Sequence, residues 1–136
     1  MYLLDTNIII YTIKNKYDAI KRKIEFAGVN NVCVSALTVA EMEHGAAKSM
    51  NPERARVIMY EFLTPFEIID FDTRAAECYG RIRANLEKNG NIIGPIDLLI
   101  GATALSRKYT VVTNNVKEFN RIDGLMIENW VIQENQ

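Results

Sequence analysis

Short apolar strands alternate with amphipathic helices along this chain, and this alternation limits the possible folds more than any other feature. Residues 3–4, 32–34 and 110–113 are apolar or β-branched runs, and a segment with helical spacing follows each of them. Residues 67–71 and 125–127 predict two further strands. Strands that alternate with helices form a mainly parallel sheet whose two faces are covered by helices. The sequence therefore predicts one α/β/α domain over residues 1–136.

Composition agrees with a protein that has a sizeable buried core, since 49% of the 136 residues are hydrophobic and 24% are charged. No apolar run approaches the roughly 18 residues of a membrane span, and the start lacks the pattern of a signal peptide. We therefore expect no membrane partner and a cytoplasmic location. Two distant cysteines in apolar surroundings predict buried free thiols.

Charge is unevenly distributed, although the net charge is only −1. Residues 1–60 contain eight Lys and Arg against six Asp and Glu. If some of these acids share one pocket, the remaining surface of this half is distinctly basic. Such a surface would suit a polyanionic substrate that is drawn toward an acidic site.

Acidic side chains recur at the points where predicted strands give way to helices. Asp5 follows the first strand, Glu41 follows the second, Asp97 follows Gly94-Pro95-Ile96, and Glu118 follows the fourth. The carboxyl ends of parallel strands meet at one edge of a sheet, where ligands bind. The alternative is that each acid only caps a helix, as Asp5 and the Thr38-x-x-Glu41 capping box would.

The surroundings of Asp97 and Glu41 favour a shared site over separate caps. Both lie in apolar stretches, where a carboxylate is costly unless a metal or several donors meet it. Carboxylate oxygens without thiolates predict Mg²⁺ or Mn²⁺, which would activate water and stabilise charge on a phosphate oxygen. Near Glu41, we expect His44 to be exposed or in the core, and Glu43 either to form a salt bridge or to support the site carboxylates from behind.

Four ordered motifs resemble those of one known family. They are Leu4-Asp5-Thr6-Asn7, Ser35-x5-Glu41-x3-Gly45, Gly94-x2-Asp97-x3-Gly101-Ala102, and Thr113-Asn114-Asn115-x2-Glu118-Phe119, followed by Trp130. The chain resembles the PIN-domain ribonucleases, and most closely the VapC-type toxins of bacterial toxin–antitoxin pairs. The resemblance spans essentially the whole chain, because the motifs occur in the family's order and spacing.

This resemblance implies a Mg²⁺- or Mn²⁺-dependent endoribonuclease that hydrolyses phosphodiester bonds of RNA. By position, Asp5, Glu41 and Asp97 resemble the core acids, with Asp5 and Asp97 as metal ligands, and Glu118 resembles the variable fourth acid. Asn115 stands where some relatives have Asp, which makes a second metal site doubtful. The residues that would orient these acids are Thr6, Asn7, Ser35, Thr113 and Asn115.

The resemblance also implies partners, namely a second copy of the chain and a VapB-type antitoxin whose tail sends an Arg into the acidic pocket. The implied substrate is tRNA, with the initiator tRNA anticodon stem-loop as the specific expectation. Phosphate contacts are expected from Lys14, Lys16 and residues 48–56. The alternative is a catalytically inactive module that binds antitoxin or RNA, although intact Asp5, Glu41 and Asp97 argue against it.

Overall fold

The computed structural model describes residues 1–131, which form five strands and seven α-helices. The strands are β1 (Tyr2–Leu4), β2 (Val32–Ser35), β3 (Glu67–Ile69), β4 (Thr110–Val112) and β5 (Met126–Glu128). The helices are α1 (Thr6–Ile13), α2 (Asp18–Ala27), α3 (Ala36–Ala47), α4 (Pro52–Leu63), α5 (Thr73–Lys88), α6 (Pro95–Arg107) and α7 (Val116–Phe119). Among these helices, none is both long and apolar enough to cross a membrane.

All neighbouring strands of the sheet are parallel, in the order β3-β2-β1-β4-β5. Leu4 pairs in register with Val34 on one side and with Val112 on the other. The chain therefore leaves β1 toward β2 on one side and reaches β4 on the other, which makes the β1–β4 boundary a switch point. Ligands of open parallel sheets bind at such points, outside the carboxyl ends of the strands.

Alternate side chains of the strands supply two separate hydrophobic cores. On one face, Leu3, Cys33 and Val111 pack with α5, α6 and α7. On the other face, Leu4 and Val34 pack with the first four helices. This division follows from the two-residue period of a strand, and it confirms the predicted sheet with helices on both faces.

Most predicted segments are present, but several boundaries differ. Helix α1 begins directly at Thr6, because Asp5 already has extended backbone angles and caps it. Strand β3 stops at Ile69, since Asp72 accepts a hydrogen bond from the backbone N–H of Ala75 and starts α5. Both cysteines are free and buried, as predicted.

Candidate active site

Asp5 lies where β1 ends, at the switch point of the sheet, and its side chain is only 4% exposed. Oδ1 accepts a hydrogen bond from the backbone N–H of Thr6 at 2.7 Å. Oδ2 accepts one from the hydroxyl of Thr113 at 2.8 Å. Asp5 is therefore the helix cap that the simpler alternative predicted, but capping uses only one of its two carboxylate oxygens.

Two polar residues that follow β4 connect Asp5 to Asp97. The hydroxyl oxygen of Thr113, which donates to Asp5, accepts the backbone N–H of Asn115 at 2.8 Å. The side-chain amide of Asn115 in turn donates to Oδ2 of Asp97 at 3.1 Å. This hydrogen-bonded series joins two carboxylates from distant parts of the chain and fixes one oxygen of each.

Glu41 reaches the same region from α3. Its Oε1 accepts a hydrogen bond from the hydroxyl of Thr6 at 2.5 Å. Thr6 is the first residue of α1 and directly follows Asp5, so the structure brings Glu41 to the end of β1 as well. The side chain of Glu41 is half-buried.

The capping-box alternative for Glu41 is wrong. Helix α3 begins at Ala36, and its cap is Ser35, whose hydroxyl oxygen accepts the backbone N–H of Leu37 at 3.0 Å. Thr38 is therefore inside the helix, and its hydroxyl lies 3.1 Å from that of Thr6. This contact was not predicted, although a separation of three residues places Thr38 and Glu41 on one helical face.

Glu118 lies on α7 and contacts the residue that precedes α6. Its Oε1 accepts the backbone N–H of Gly94 at 3.3 Å. Gly94 is the residue that precedes α6, and Asp97 is in the first turn of that helix. Glu118 therefore anchors the start of α6, a backbone contact that the motif spacing did not predict.

Burial and mutual repulsion disfavour the ionised forms of the two aspartates. Burial raises the pKa of Asp97 to about 6, and the negative charge of Asp5 adds to this, with smaller effects from Glu118 and Glu41. Burial also raises the pKa of Asp5, against the lowering effect of its hydrogen bonds to Thr113 and Thr6. The four acids are therefore close enough to influence one another.

No basic side chain offsets this negative charge within the described residues. The ion pairs of residues 1–131 join Arg56 to Glu43, Arg83 to Glu87, and Arg107 to Asp72. Asp5 and Asp97 instead have only neutral hydrogen-bond donors. A pocket whose negative charge is not neutralised by basic side chains is suited to a bound cation.

The donor set fits Mg²⁺ or Mn²⁺ in particular. Within residues 1–131, no group of three or more His, Cys, Asp or Glu side chains is placed so that it could hold a metal ion. Mg²⁺ rarely needs one, because it is usually bound by one or two carboxylates together with waters and substrate phosphates. Asp5 and Asp97 provide two oriented carboxylates whose repulsion a divalent cation would relieve.

The remaining predicted supporting residues, Asn7 and Ser35, have no hydrogen bond to the four acids within residues 1–131. Asn7 is exposed, and no hydrogen bond of its side chain is present in the described part of the chain. Ser35 is buried and caps α3. His44 is exposed, as expected. Glu43 forms the expected salt bridge with Arg56, with an Nε–Oε1 distance of 2.9 Å.

The sequence matches the PIN domain family over residues 2–125. It is 43% identical to the tRNA(fMet)-specific endonuclease VapC of Salmonella typhimurium, covering 95% of this chain and 97% of that one. The chain belongs to the VapC ribonucleases of the PIN-domain family. Ribonuclease VapC2 of Rickettsia felis is a second VapC relative, at 41% identity over 96% of this chain and 98% of its own length.

Solved VapC structures have the same fold. A DNA-bound VapBC complex from Salmonella typhimurium superposes with a TM-score of 0.90 at 43% identity, covering 95% of this chain and 97% of that chain. VapBC2 from Rickettsia felis, bound to a fragment of promoter DNA, superposes with a TM-score of 0.89 at 39% identity, covering 95% of this chain and 98% of that chain. The likeness to VapC therefore extends over nearly the whole of each chain.

Proposed function

We propose that the protein is a divalent-metal-dependent endoribonuclease and the toxin of a type II toxin–antitoxin pair. The observation that supports this most directly is the pairing of Asp5 with Asp97 through Thr113 and Asn115. Two carboxylates held together without a basic partner destabilise the metal-free protein, and a metal-dependent nuclease could use them to hold its cation. Membership of the VapC family supports the same activity.

In this mechanism Asp5 and Asp97 would hold Mg²⁺ or Mn²⁺, and Thr113 and Asn115 keep their carboxylates in position. The chemistry that such a cation would supply is activation of a water molecule and stabilisation of negative charge on the phosphate. Glu41 has one oxygen held by Thr6, and its other oxygen has no hydrogen-bond partner in residues 1–131. That second oxygen accepts the proton of the water that attacks the phosphodiester bond.

The proposed substrate is tRNA, and initiator tRNA in particular. The Salmonella typhimurium relative is a tRNA(fMet)-specific endonuclease, and the similarity covers nearly the full length of both chains. Lys14 is exposed and lines a groove that reaches Glu41, so it is placed to pair with a substrate phosphate. Arg56 already binds Glu43, and Lys16 lies over Tyr11 and Tyr17, which makes them weaker candidates.

The proposed partners are a VapB-type antitoxin and a second copy of this chain. Structures similar to this one are VapBC complexes. A largely apolar groove of about 440 Å³ between α1, α3 and α4 ends at Glu41. An antitoxin tail in this groove could place an Arg against the carboxylates, where a bidentate guanidinium would replace the charge of the cation.

The test is cleavage of total bacterial RNA and of purified initiator tRNA by the antitoxin-free protein, with Mg²⁺, Mn²⁺ or EDTA. Asp5→Asn and Asp97→Asn should each abolish a discrete, metal-dependent cleavage. Asp70→Asn is the matched control, because Asp70 also directly follows a strand but is exposed and outside the site. Folding of each variant is checked by circular dichroism.

Three results would contradict the proposal in different ways. Cleavage that continues in EDTA would refute the metal requirement. Cleavage that survives both aspartate substitutions would mean that the site lies elsewhere. Well-folded wild-type protein that binds RNA without cutting it would favour the inactive binding module.

A further inference from the structure

Two threonine hydroxyls and Glu41 form a short hydrogen-bonded series. Oγ1 of Thr6 lies 2.5 Å from Oε1 of Glu41 and 3.1 Å from Oγ1 of Thr38. A threonine hydroxyl has one hydrogen, and an ionised carboxylate can only accept. Thr6 therefore donates to Glu41, and Thr38 must donate to Thr6.

Thr38 is well suited to fix the orientation of Thr6. It is fully buried, and it lies on the helix that contains Glu41. Its β-branched side chain has few accessible rotamers and is packed in the core, which keeps its hydroxyl oxygen beside that of Thr6. Donation from Thr38 also polarises the hydroxyl of Thr6 and strengthens the bond that Thr6 gives to Glu41.

We propose that Thr38 is a positioning residue of the nuclease, which acts through Thr6 to hold the carboxylate of Glu41 in its working orientation. This inference rests on the proposed function, because it assigns Glu41 to the reaction. Thr38 itself has no exposed surface and does not contact the substrate. If Thr38 lacks its hydroxyl, the Thr6 hydroxyl loses the hydrogen bond that it accepts from Thr38. The Thr6 side chain can then rotate away from Glu41 more easily.

The test compares Thr38→Val, which removes the hydroxyl but keeps the side-chain shape, with Thr38→Ser, which keeps the hydroxyl. Thr103→Val is the matched control. Thr103 is also a fully buried helical threonine, but its hydroxyl donates to the backbone carbonyl of Leu99, 2.9 Å away. If Thr38→Val fails to fold, Thr38→Ala removes the same hydroxyl with less crowding.

The first readout needs neither metal nor activity. Protein labelled with ¹³C-glutamate is studied by NMR at fixed pH in EDTA, and the carboxylate resonance of Glu41 is assigned by its loss in Glu41→Gln. We expect Thr38→Val to shift this resonance in the same direction as Thr6→Val does. Thr38→Ser and Thr103→Val should leave it in place. An unchanged resonance in Thr38→Val would overturn the proposal.

The second readout is the kinetics of RNA cleavage. Loss of one positioning hydrogen bond should lower kcat about three- to tenfold with KM unchanged, and Thr38→Ser should restore it. An unchanged kcat, an effect on KM alone, or an equal loss in Thr38→Ser would overturn the proposal. Wild-type protein without nuclease activity would instead refute the proposed function, and the Glu41 resonance would then decide alone whether Thr38 orients this side chain.

Discussion

Gly101 of α6 packs tightly against the segment that follows α7, and it allows a quantitative test of this packing. A Cβ atom added at Gly101 would lie 2.5 Å from Cδ1 of Ile122, whereas Leu125 and Phe119 would be at an ordinary 3.7 Å. Carbon atoms pack best at about 3.5–4.0 Å, so the shortfall is about 1 Å. Ile122 is 3% exposed and has little room to move.

The expected effect of Gly101→Ala is the difference between two opposing terms. Alanine gains about 1 kcal/mol of helix propensity, while overpacking costs about 2 kcal/mol, so the free energy of unfolding should fall by about 1 kcal/mol. Ile122→Val removes exactly the atom in conflict, Cδ1, and should itself cost about 1 kcal/mol. If the two changes were independent, the double variant would be about 2 kcal/mol less stable than wild type.

The double variant should instead be about as stable as wild type, because the new Cβ occupies the space that Cδ1 vacates. We expect its free energy of unfolding to lie within about 0.5 kcal/mol of the wild-type value. The measurement is urea unfolding in EDTA, followed by circular dichroism. Gly80→Ala is the control for helix propensity, because Gly80 is an exposed glycine within α5 and its added Cβ would meet no atom within 4 Å.

Additive losses in the free energy of unfolding would refute this account. If the double variant lost the sum of the two single losses, the close contact between positions 101 and 122 would not exist in solution. A Gly101→Ala protein as stable as Gly80→Ala would contradict it equally, since only the helix-propensity term would then remain.

Three further predictions concern the carboxylates and the thiols. The pKa of Asp97 is raised to about 6 in the folded state, so the folded protein holds the Asp97 proton more tightly than the unfolded chain does. The stabilisation from this proton is present below about pH 4 and is lost as pH rises through 6. The stability advantage of Asp97→Asn over metal-free wild type should therefore grow between pH 4 and 7 in urea unfolding, and a constant difference would contradict this. Asn115→Asp replaces a donor to Asp97 by an acid, so it should lower the metal-free Tm and enlarge the rise in Tm caused by Mn²⁺; an equal or smaller rise would refute it. Burial, with a smaller effect from Glu67, raises the pKa of Cys33 to about 12. DTNB should therefore modify Cys33 only after unfolding, and reaction in the native protein would be the contrary result.

The parts of the structure that follow from local chemistry were predictable from the sequence. The alternation of short strands with helices gave the layered architecture, and the structure confirms all five strands. Asp5 could be placed at a strand end because the apolar run stops there. Parallel pairing then requires Asp5 and Thr113 to lie at one edge of the sheet, where they are hydrogen-bonded.

Contacts that depend on the relative placement of helices were not predictable. The spacing of Thr38 and Glu41 fits a local capping pair, which was one of the two interpretations of Glu41. Their actual partner is Thr6, and only the packing of α1 against α3 brings it there. Glu118 similarly bonds a backbone N–H of Gly94, a group that every residue except proline has, so the sequence gives no signal for it.

The hydrogen bond between Thr113 and Asp5 spans almost the entire length of the chain. During synthesis the N-terminal strand leaves the ribosome first, but its neighbour β4 and the residues that orient Asp5 and Asp97 are made last. A nascent or prematurely terminated polypeptide that ends before Asn115 lacks the groups that join the two carboxylates. The complete set of side chains at the proposed site therefore exists only once translation is nearly finished.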